Sequence, residues 1–387
     1  MVAITRLETH IVDVPLKRVF LVAQRPIARA TEVVVKVHTD EGVTGVGHAH
    51  GTPLERVAEI IQTQLGPLLV GEDPRDIERH WQRMFATTTS RSAVLAANSG
   101  SSYPKGAGRP QVMSAIGGID IALWDLLGKL TGLPTWRLLG GCRSRVPAYA
   151  TAGYYREEGE SYAELAKEFE GLAADGFRRV KLKVGGVEPE EDVKRAQVVR
   201  DAIGPDVALA VDASQGWDVQ EAVRAGKGFA GLGVDWYEEP VSWYDDIAGI
   251  ADMARYVPIP VCSGESEYTK QGVRDLIIRA GIAIANFDCT KAGGFTEGRK
   301  IAGMCEAHNV AFAPHHAAQA HAHLTAGVPN GMTVELHPDP DRDPLWDALY
   351  PGRPELYDGD LVLSDRPGLG YEIDEEALAR FGTPYDG

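Results

Sequence analysis

Acidic residues close three successive short apolar runs in the middle of the chain. Asp212 ends "VALAVD", Glu238 lies in "VDWYEEPV" and Glu265 in "IPVCSGES". One strand plus one helix separates each acid from the next, so the segment reads as repeated βα units with a carboxylate at each strand's C-terminal end. Parallel strands joined by helices are covered on both faces, and eight of them close into a barrel whose strand C-termini share one mouth. Three carboxylates in step at that mouth suit a hard divalent cation, Mg²⁺ with Mn²⁺ as an alternative.

The βα rhythm starts near Val146. Leu165, Phe169 and Leu172 share one helical face, with Gly176 as the stop, and Val193, Ala196, Val199 and Ile203 repeat the design before Gly204. The candidate strands are 147–152, 179–184, 208–212, 235–239, 260–264, 283–288, 310–314 and 332–335. The fold class expected is α/β, a barrel of eight strands.

Residues 1–125 read differently, as a small α+β domain. "ITRLETHIVDV" and "TEVVVKVHTD" alternate like strands, and "GVTGVGHAH" pairs with the second across Asp40-Glu41-Gly42. Val57, Ile60, Ile61 and Leu65 then keep helical spacing, and Ile116 to Leu126 form a more buried helix. Phe20 to Ala30 and Ser90 to Arg109 read as loops able to contact a substrate, the second carrying Lys105 and Arg109. The barrel is expected over 126–335. The tail, 336–387, includes "DGDLVLSDRPGLGYEI", a strand pair expected to return to the first domain.

A net charge of −16 argues against nucleic acid as a partner. No segment has the roughly 18 apolar residues of a membrane span. Cys142, Cys262, Cys289 and Cys305 show no paired spacing, which suits reduced thiols. The expectation is a soluble cytoplasmic enzyme, a homo-oligomer acting on a small-molecule carboxylate.

Other residues join the three acids. Lys181 and Lys183 lie two apart on one strand and face the same side. Their mutual repulsion is expected to lower one pKa and make a base usable near neutrality. Asp288 and His315 end the next two strands, where an acid can orient an imidazole. Glu335, on the last strand, can donate to a substrate carboxylate oxygen if its own pKa is raised. Glu239 and Glu267 compete with the assigned acids, and His316 with His315.

In this order the motifs resemble the enolase superfamily, mandelate racemase subgroup, over nearly the whole chain. "AIGGIDIALWDLLGKLTGLPTWRLLGG" is similar to the passage from that family's capping domain into its barrel. "KLKVG", "VDAS", "WYEEP", "SGE", "FDCTKAGG" and "APHH" follow in the family's order. The resemblance implies a (β/α)7β barrel with an α+β cap built from both termini. It implies Asp212, Glu238 and Glu265 as Mg²⁺ ligands. It implies Lys183 as the base on one face of the substrate, beside Lys181, and His315, supported by Asp288, on the other. Counting back from "HLTAGVP" it favours His315 over His316, and it places Glu335 at the enolate oxygen.

The chemistry so implied is removal of the α-proton of a hydroxycarboxylate through an enediolate. Arg25, Arg29, His48 and His50, in possible cap loops, favour a polyhydroxy substrate. The expected reaction is therefore dehydration of an acid sugar, an aldonate or aldarate, to a 2-keto-3-deoxy acid. Phe20, Leu21 and Val22 offer an apolar wall that would instead suit a racemase, epimerase or lactone cycloisomerase using the same two bases.

Overall fold

The computed structural model describes residues 2–23, 25–88, 109–156, 159 and 161–385. Its N-terminal part is an antiparallel meander of β1 (Ile4–Val22), β2 (Arg25–Thr39) and β3 (Thr44–Ala49). The turn at Gly42 (φ 76°) sets the register, pairing His38 with Thr44 and Val33 with Ala49. β2 is flanked on both edges, and Val33, Val34, Val35 and Val37 are fully buried.

The long helix Arg109–Thr131 lies across this sheet. Glycine makes the approach possible. A Cβ at Gly47 would sit 2.0 Å from the Gly118 carbonyl oxygen, and one at Gly45 would sit 2.2 Å from that of Ala122. The same helix supplies buried Asp125, whose carboxylate accepts from Val46 N at 2.8 Å and from Leu369 N at 2.7 Å. One side chain thus ties sheet, helix and C-terminal tail together.

The second sheet runs β4 (Arg145–Ala152), β5 (Arg179–Lys183), β6 (Ala208–Asp212), β7 (Val234–Glu238), β8 (Val261–Ser263), β9 (Ile284–Ala285) and β10 (Ala311–Phe312), each parallel to the next. β11 (Val334–Leu336) pairs parallel with β4. Two hydrogen bonds join its approach to β10, Phe312 N to Asn330 O (3.0 Å) and Met332 N to Phe312 O (2.7 Å). These are the eight strands read from the sequence, with β9 and β10 shortened to two residues each. The enclosed core includes Tyr149, Ala210, Trp236, Cys262, Ile284 and Ala313.

The first of the two loops read from the sequence is corrected by the structure. Phe20–Ala30 is not a loop but the outer end of the β1–β2 hairpin, paired Phe20 with Ile27 and Val22 with Arg25. This arm reaches the barrel. Leu21 and Tyr155 exchange both backbone hydrogen bonds (3.3 and 3.1 Å), and Arg25 donates to Ser214 O at 2.8 Å. The loop expected at Ser90 to Arg109 lies outside the described residues as far as residue 108; Arg109 itself begins the long helix.

The strand pair expected within 358–373 does not form: only β13 (Asp360–Val362) falls there, and it pairs with the preceding β12 (Glu355–Tyr357) and docks antiparallel on β4 of the barrel instead of on the first sheet. The short strand β14 (Gly382–Pro384) is the one that pairs with β1. No helix among the described residues is long and apolar enough to cross a membrane.

Candidate active site

Strand register brings the first catalytic candidates side by side. Lys183, Asp212 and Glu238 are direct neighbours across β5, β6 and β7. Side chains alternate along a strand, so Lys181 and Lys183 share the inner face, as do Trp236 and Glu238. Glu238 accepts from the Trp236 indole N–H at 3.0 Å.

Lys181 is fully buried. Its ammonium bonds Glu238, lies 2.9 Å from Glu335 Oε1 and 3.5 Å from both Asp212 Oδ2 and the Tyr149 hydroxyl. Lys183 donates to Asp212 Oδ2 at 2.5 Å. The expected lowering of a lysine pKa is not what this arrangement gives. Burial and the neighbouring ammonium push Lys183 down, but Asp212, Tyr154 and Glu335 together outweigh them, and the Lys183 pKa is raised. For Lys181, burial is outweighed by Glu238, Glu335, Tyr149 and Asp212, and its pKa stands well above the ordinary value.

Glu335 is also the reverse of the sequence expectation. Burial raises its pKa, but Lys181, His337, His315 and Lys183 lower it more, to well below the usual range. It is an ionised acceptor, taking hydrogen bonds from Thr151 Oγ1 (2.6 Å) and His316 N (2.9 Å). In this form it orients Lys181 and has no proton to donate.

Across the mouth, Nδ1 of His315 meets Asp288 Oδ2 at 2.9 Å, and its Nε2 lies 3.5 Å from Glu265. Asp288 also accepts from Thr290 N (2.9 Å) and Oγ1 (2.6 Å). Burial raises the Asp288 pKa, but His315, Lys291 and His321 hold it well below the ordinary value. His316 turns away through a left-handed backbone (φ 55°) and packs its ring 5.1 Å from those of His50 and His337.

The acids crowd one another. Burial, with Asp212, Glu335 and Glu265 nearby, pushes Glu238 up to about 8 although Lys181 opposes it. Glu239, just beyond the strand at φ 40°, is held by Ser263 Oγ (2.8 Å), Gly264 N (3.0 Å) and Gln215 Nε2 (3.0 Å). Burial and Glu265 push it up to about 7. Glu267 is pushed up to about 7 by burial, with Asp246 and Asp275 for company. Among the described residues, no three acid, histidine or cysteine side chains form a ready-made metal cage. The lysine ammonium groups stand between the carboxylates instead. The donor set nevertheless fits a divalent cation. Asp212, Glu238 and Glu265 are hard oxygen donors from neighbouring barrel steps, and their crowding is what a cation relieves.

A cavity of about 720 Å³ opens over these groups. Its lining joins Lys183, Glu265 and His315 to Val22 and Arg29 of the hairpin arm and Arg342 of the tail. Arg25 and His50 line it too, but His48 does not. His48 is fully buried behind the wall against the Tyr371 hydroxyl (2.7 Å), and burial lowers its pKa to about 4. Phe20 packs edge-on to Tyr154, 5.3 Å between ring centres. The sequence reading missed His337, Tyr154, Thr151, Lys291 and Arg342. His337 had a signal, since it stands two after Glu335, the spacing that paired Lys181 with Lys183.

Residues 6–140 match the mandelate racemase/muconate lactonizing enzyme N-terminal domain, and residues 162–377 match the enolase C-terminal domain-like model. The chain belongs to the mandelate racemase/muconate lactonizing enzyme group of the enolase superfamily. D-galactarolactone cycloisomerase of Agrobacterium fabrum is 33% identical over 394 residues, covering 98% of this chain and 99% of that one. Arabinonate dehydratase of Saccharolobus solfataricus is 31% identical over 349 residues, 88% of each. A mandelate racemase/muconate lactonizing enzyme from a marine actinobacterium, solved in complex with magnesium, superposes with a TM-score of 0.86 at 32% identity, covering 99% of this chain and 100% of that one. This chain is an enzyme, and the named relatives are a lyase and an isomerase.

Proposed function

We propose that this enzyme removes the α-proton of a polyhydroxy carboxylate and dehydrates it to a 2-keto-3-deoxy acid. The observation that carries the reading is the placement of Lys183 and the Asp288–His315 pair around one cavity floored by strand-end carboxylates. In this reading residues 1–125, joined by β14 of the tail 336–387, cap a barrel of residues 126–335, while β12 and β13 of the tail extend the barrel sheet from β4. Asp212, Glu238 and Glu265 would hold Mg²⁺. When bound, the ion supplies positive charge that draws off the carboxylate charge holding protons on the lysines and favours negative charge on the substrate's carboxylate oxygens.

Lys183 takes the α-proton on one face. Lys181, fixed by Glu335, puts its ammonium where charge develops on the substrate carboxylate. His315, oriented by Asp288, delivers a proton to the departing β-hydroxyl on the other face, and water leaves. Tautomerisation of the enol gives the keto acid. The test is incubation with Mg²⁺ and a library of acid sugars, assaying 2-keto acid. Absence of product across the library would remove the dehydratase reading.

A second reading is opening or isomerisation of a sugar-acid lactone by the same two groups. Its support is the 33% identity to a cycloisomerase along almost the full length. Loss of lactone with α-proton exchange in D₂O, and no keto acid, would select it.

A further inference from the structure

One guanidinium in the cavity wall makes no ion pair among the described residues. Arg342 lines the cavity from the tail; it shares a side-chain hydrogen bond with Tyr154, Asp343 and Glu335 act on it only from beyond ion-pair distance, and its buried Nε has no hydrogen-bond partner there. The other cations of the wall are engaged. Arg29 bonds Asp13, Lys183 bonds Asp212, Lys291 lies 3.8 Å from Asp288, and Arg25 donates to Ser214 O.

Arg342 is held in place rather than free to find a partner. Its guanidinium lies 5.4 Å from the centre of the Tyr154 ring, and the Tyr154 hydroxyl meets His337 Nδ1 at 2.8 Å. Its backbone N–H donates to Asp339 O at 2.9 Å, and the Asp339 carboxylate is tied to Arg18 of the hairpin arm at 2.7 Å. The nearby acids are occupied. Tyr350 donates to Glu32, which also lies 3.7 Å from His48 and 3.5 Å from His50. Asp343 accepts from Trp346 N at 3.3 Å, capping the helix Pro344–Leu349.

The arginine also stands apart from the reacting centre. From His315 the path runs through His316, 5.7 Å between ring centres, then His337, a further 5.1 Å, before Tyr154 and Arg342. On the reading above the α-carbon lies between Lys183 and His315 with its carboxylate toward Lys181, while Arg342 lines the wall on the far side of Tyr154 and His337 from His315. A planar guanidinium takes a carboxylate through two parallel charge-assisted hydrogen bonds, better than it takes a neutral hydroxyl.

We propose that Arg342 receives a second carboxylate at the far end of the substrate, so that the acid turned over is a dicarboxylic sugar acid rather than a monocarboxylic one. This rests on the acid-sugar reading above and narrows it.

The experiment compares kcat/KM for hexarates and hexonates of matched configuration, galactarate with galactonate among them, in the native enzyme, Arg342→Lys and Arg342→Met. The native preference for the dicarboxylate is expected to be at least about 30-fold, the effect of removing one partner of a buried charge pair. It should shrink in Arg342→Lys and fall toward unity in Arg342→Met. A native ratio near unity, or a ratio unchanged in Arg342→Met, overturns the assignment while leaving the dehydratase reading intact. Where the methionine variant fails to fold, a native ratio near unity still overturns the assignment, and so does a ratio unchanged in Arg342→Lys. No keto acid and no α-proton exchange from any acid would instead bring down the underlying reading, and this one with it.

Discussion

Nδ1 of His315 lies 2.9 Å from Oδ2 of Asp288, although 27 residues separate them. The contact leaves Nε2 directed toward the other carboxylates of the mouth, 3.5 Å from Glu265 and 4.0 Å from Glu335. Asp288→Asn weakens the charge-assisted contact at Nδ1 and frees the ring to turn. Turnover should fall about 10- to 100-fold, the usual effect of losing a group that orients a catalytic histidine. Steady-state kinetics on the identified substrate measure this. Unchanged kcat would separate Asp288 from catalysis.

Lys183→Ala should lower kcat about 10²- to 10⁴-fold, the contribution expected of a positioned acid–base group. Lys183→Arg should not rescue it, because a guanidinium keeps its proton and cannot act as a base. Retention of α-proton exchange in either variant would assign the first proton transfer elsewhere.

Removal of divalent cations should abolish turnover and lower the melting temperature. Burial, together with repulsion from Asp212, Glu335 and Glu265, pushes Glu238 up to about 8, and binding a cation relieves that repulsion. At a concentration of Mg²⁺ about 100 times its dissociation constant, the stabilisation is about 2.7 kcal/mol. Thermal denaturation with EDTA, and then with added Mg²⁺, reads it. An unchanged melting temperature would argue against an ion at Asp212, Glu238 and Glu265.

Asp120 gives a pH dependence of stability. It is fully buried in the helix Arg109–Thr131, where its Oδ2 accepts from Thr296 N at 2.9 Å and its Oδ1 has no partner among the described residues. Burial pushes its pKa up to about 7 from an ordinary 3.8. Between about pH 4 and pH 7 the folded protein therefore holds a proton that the unfolded chain has released. Its contribution is complete below about pH 4 and is lost as the pH rises to about 7, by about 4 kcal/mol in all. Asp120→Asn removes this dependence while keeping an acceptor for Thr296. Urea denaturation of both proteins from pH 4 to pH 8 should show the variant gaining relative stability with rising pH. A constant difference would contradict the shift.

The barrel was legible in the sequence because its signal is local. Short apolar runs, helical faces and glycine stops such as Gly176 and Gly204 recur along the chain, and each can be read without knowing where it packs. The hairpin arm was misread for the same reason. Phe20–Ala30 holds arginine, proline and alanine rather than a strong alternation, and its strand pairing becomes visible only once β1 meets β2. The residues Lys181, Lys183, Asp212, Glu238, Asp288, His315 and Glu335 were placed on strands or at their ends, but their protonation states were not. Those depend on which charges end up within a few ångströms, as the reversal at Glu335 illustrates.

By itself the sequence determined the repeating unit, the strand that carries each reactive side chain and, through the period of two, which of them share a face. Only the tertiary structure decided the cross-strand register of Lys183, Asp212 and Glu238, the meeting of His315 with Asp288, and the cavity wall made by the hairpin arm and the tail. The physical reason is range. Backbone periodicity is set by neighbours along the chain, whereas Coulombic and hydrogen-bonding partners are set by distance in space. Arg342 and Lys183, which line one cavity, are 159 positions apart in the chain (342 − 183).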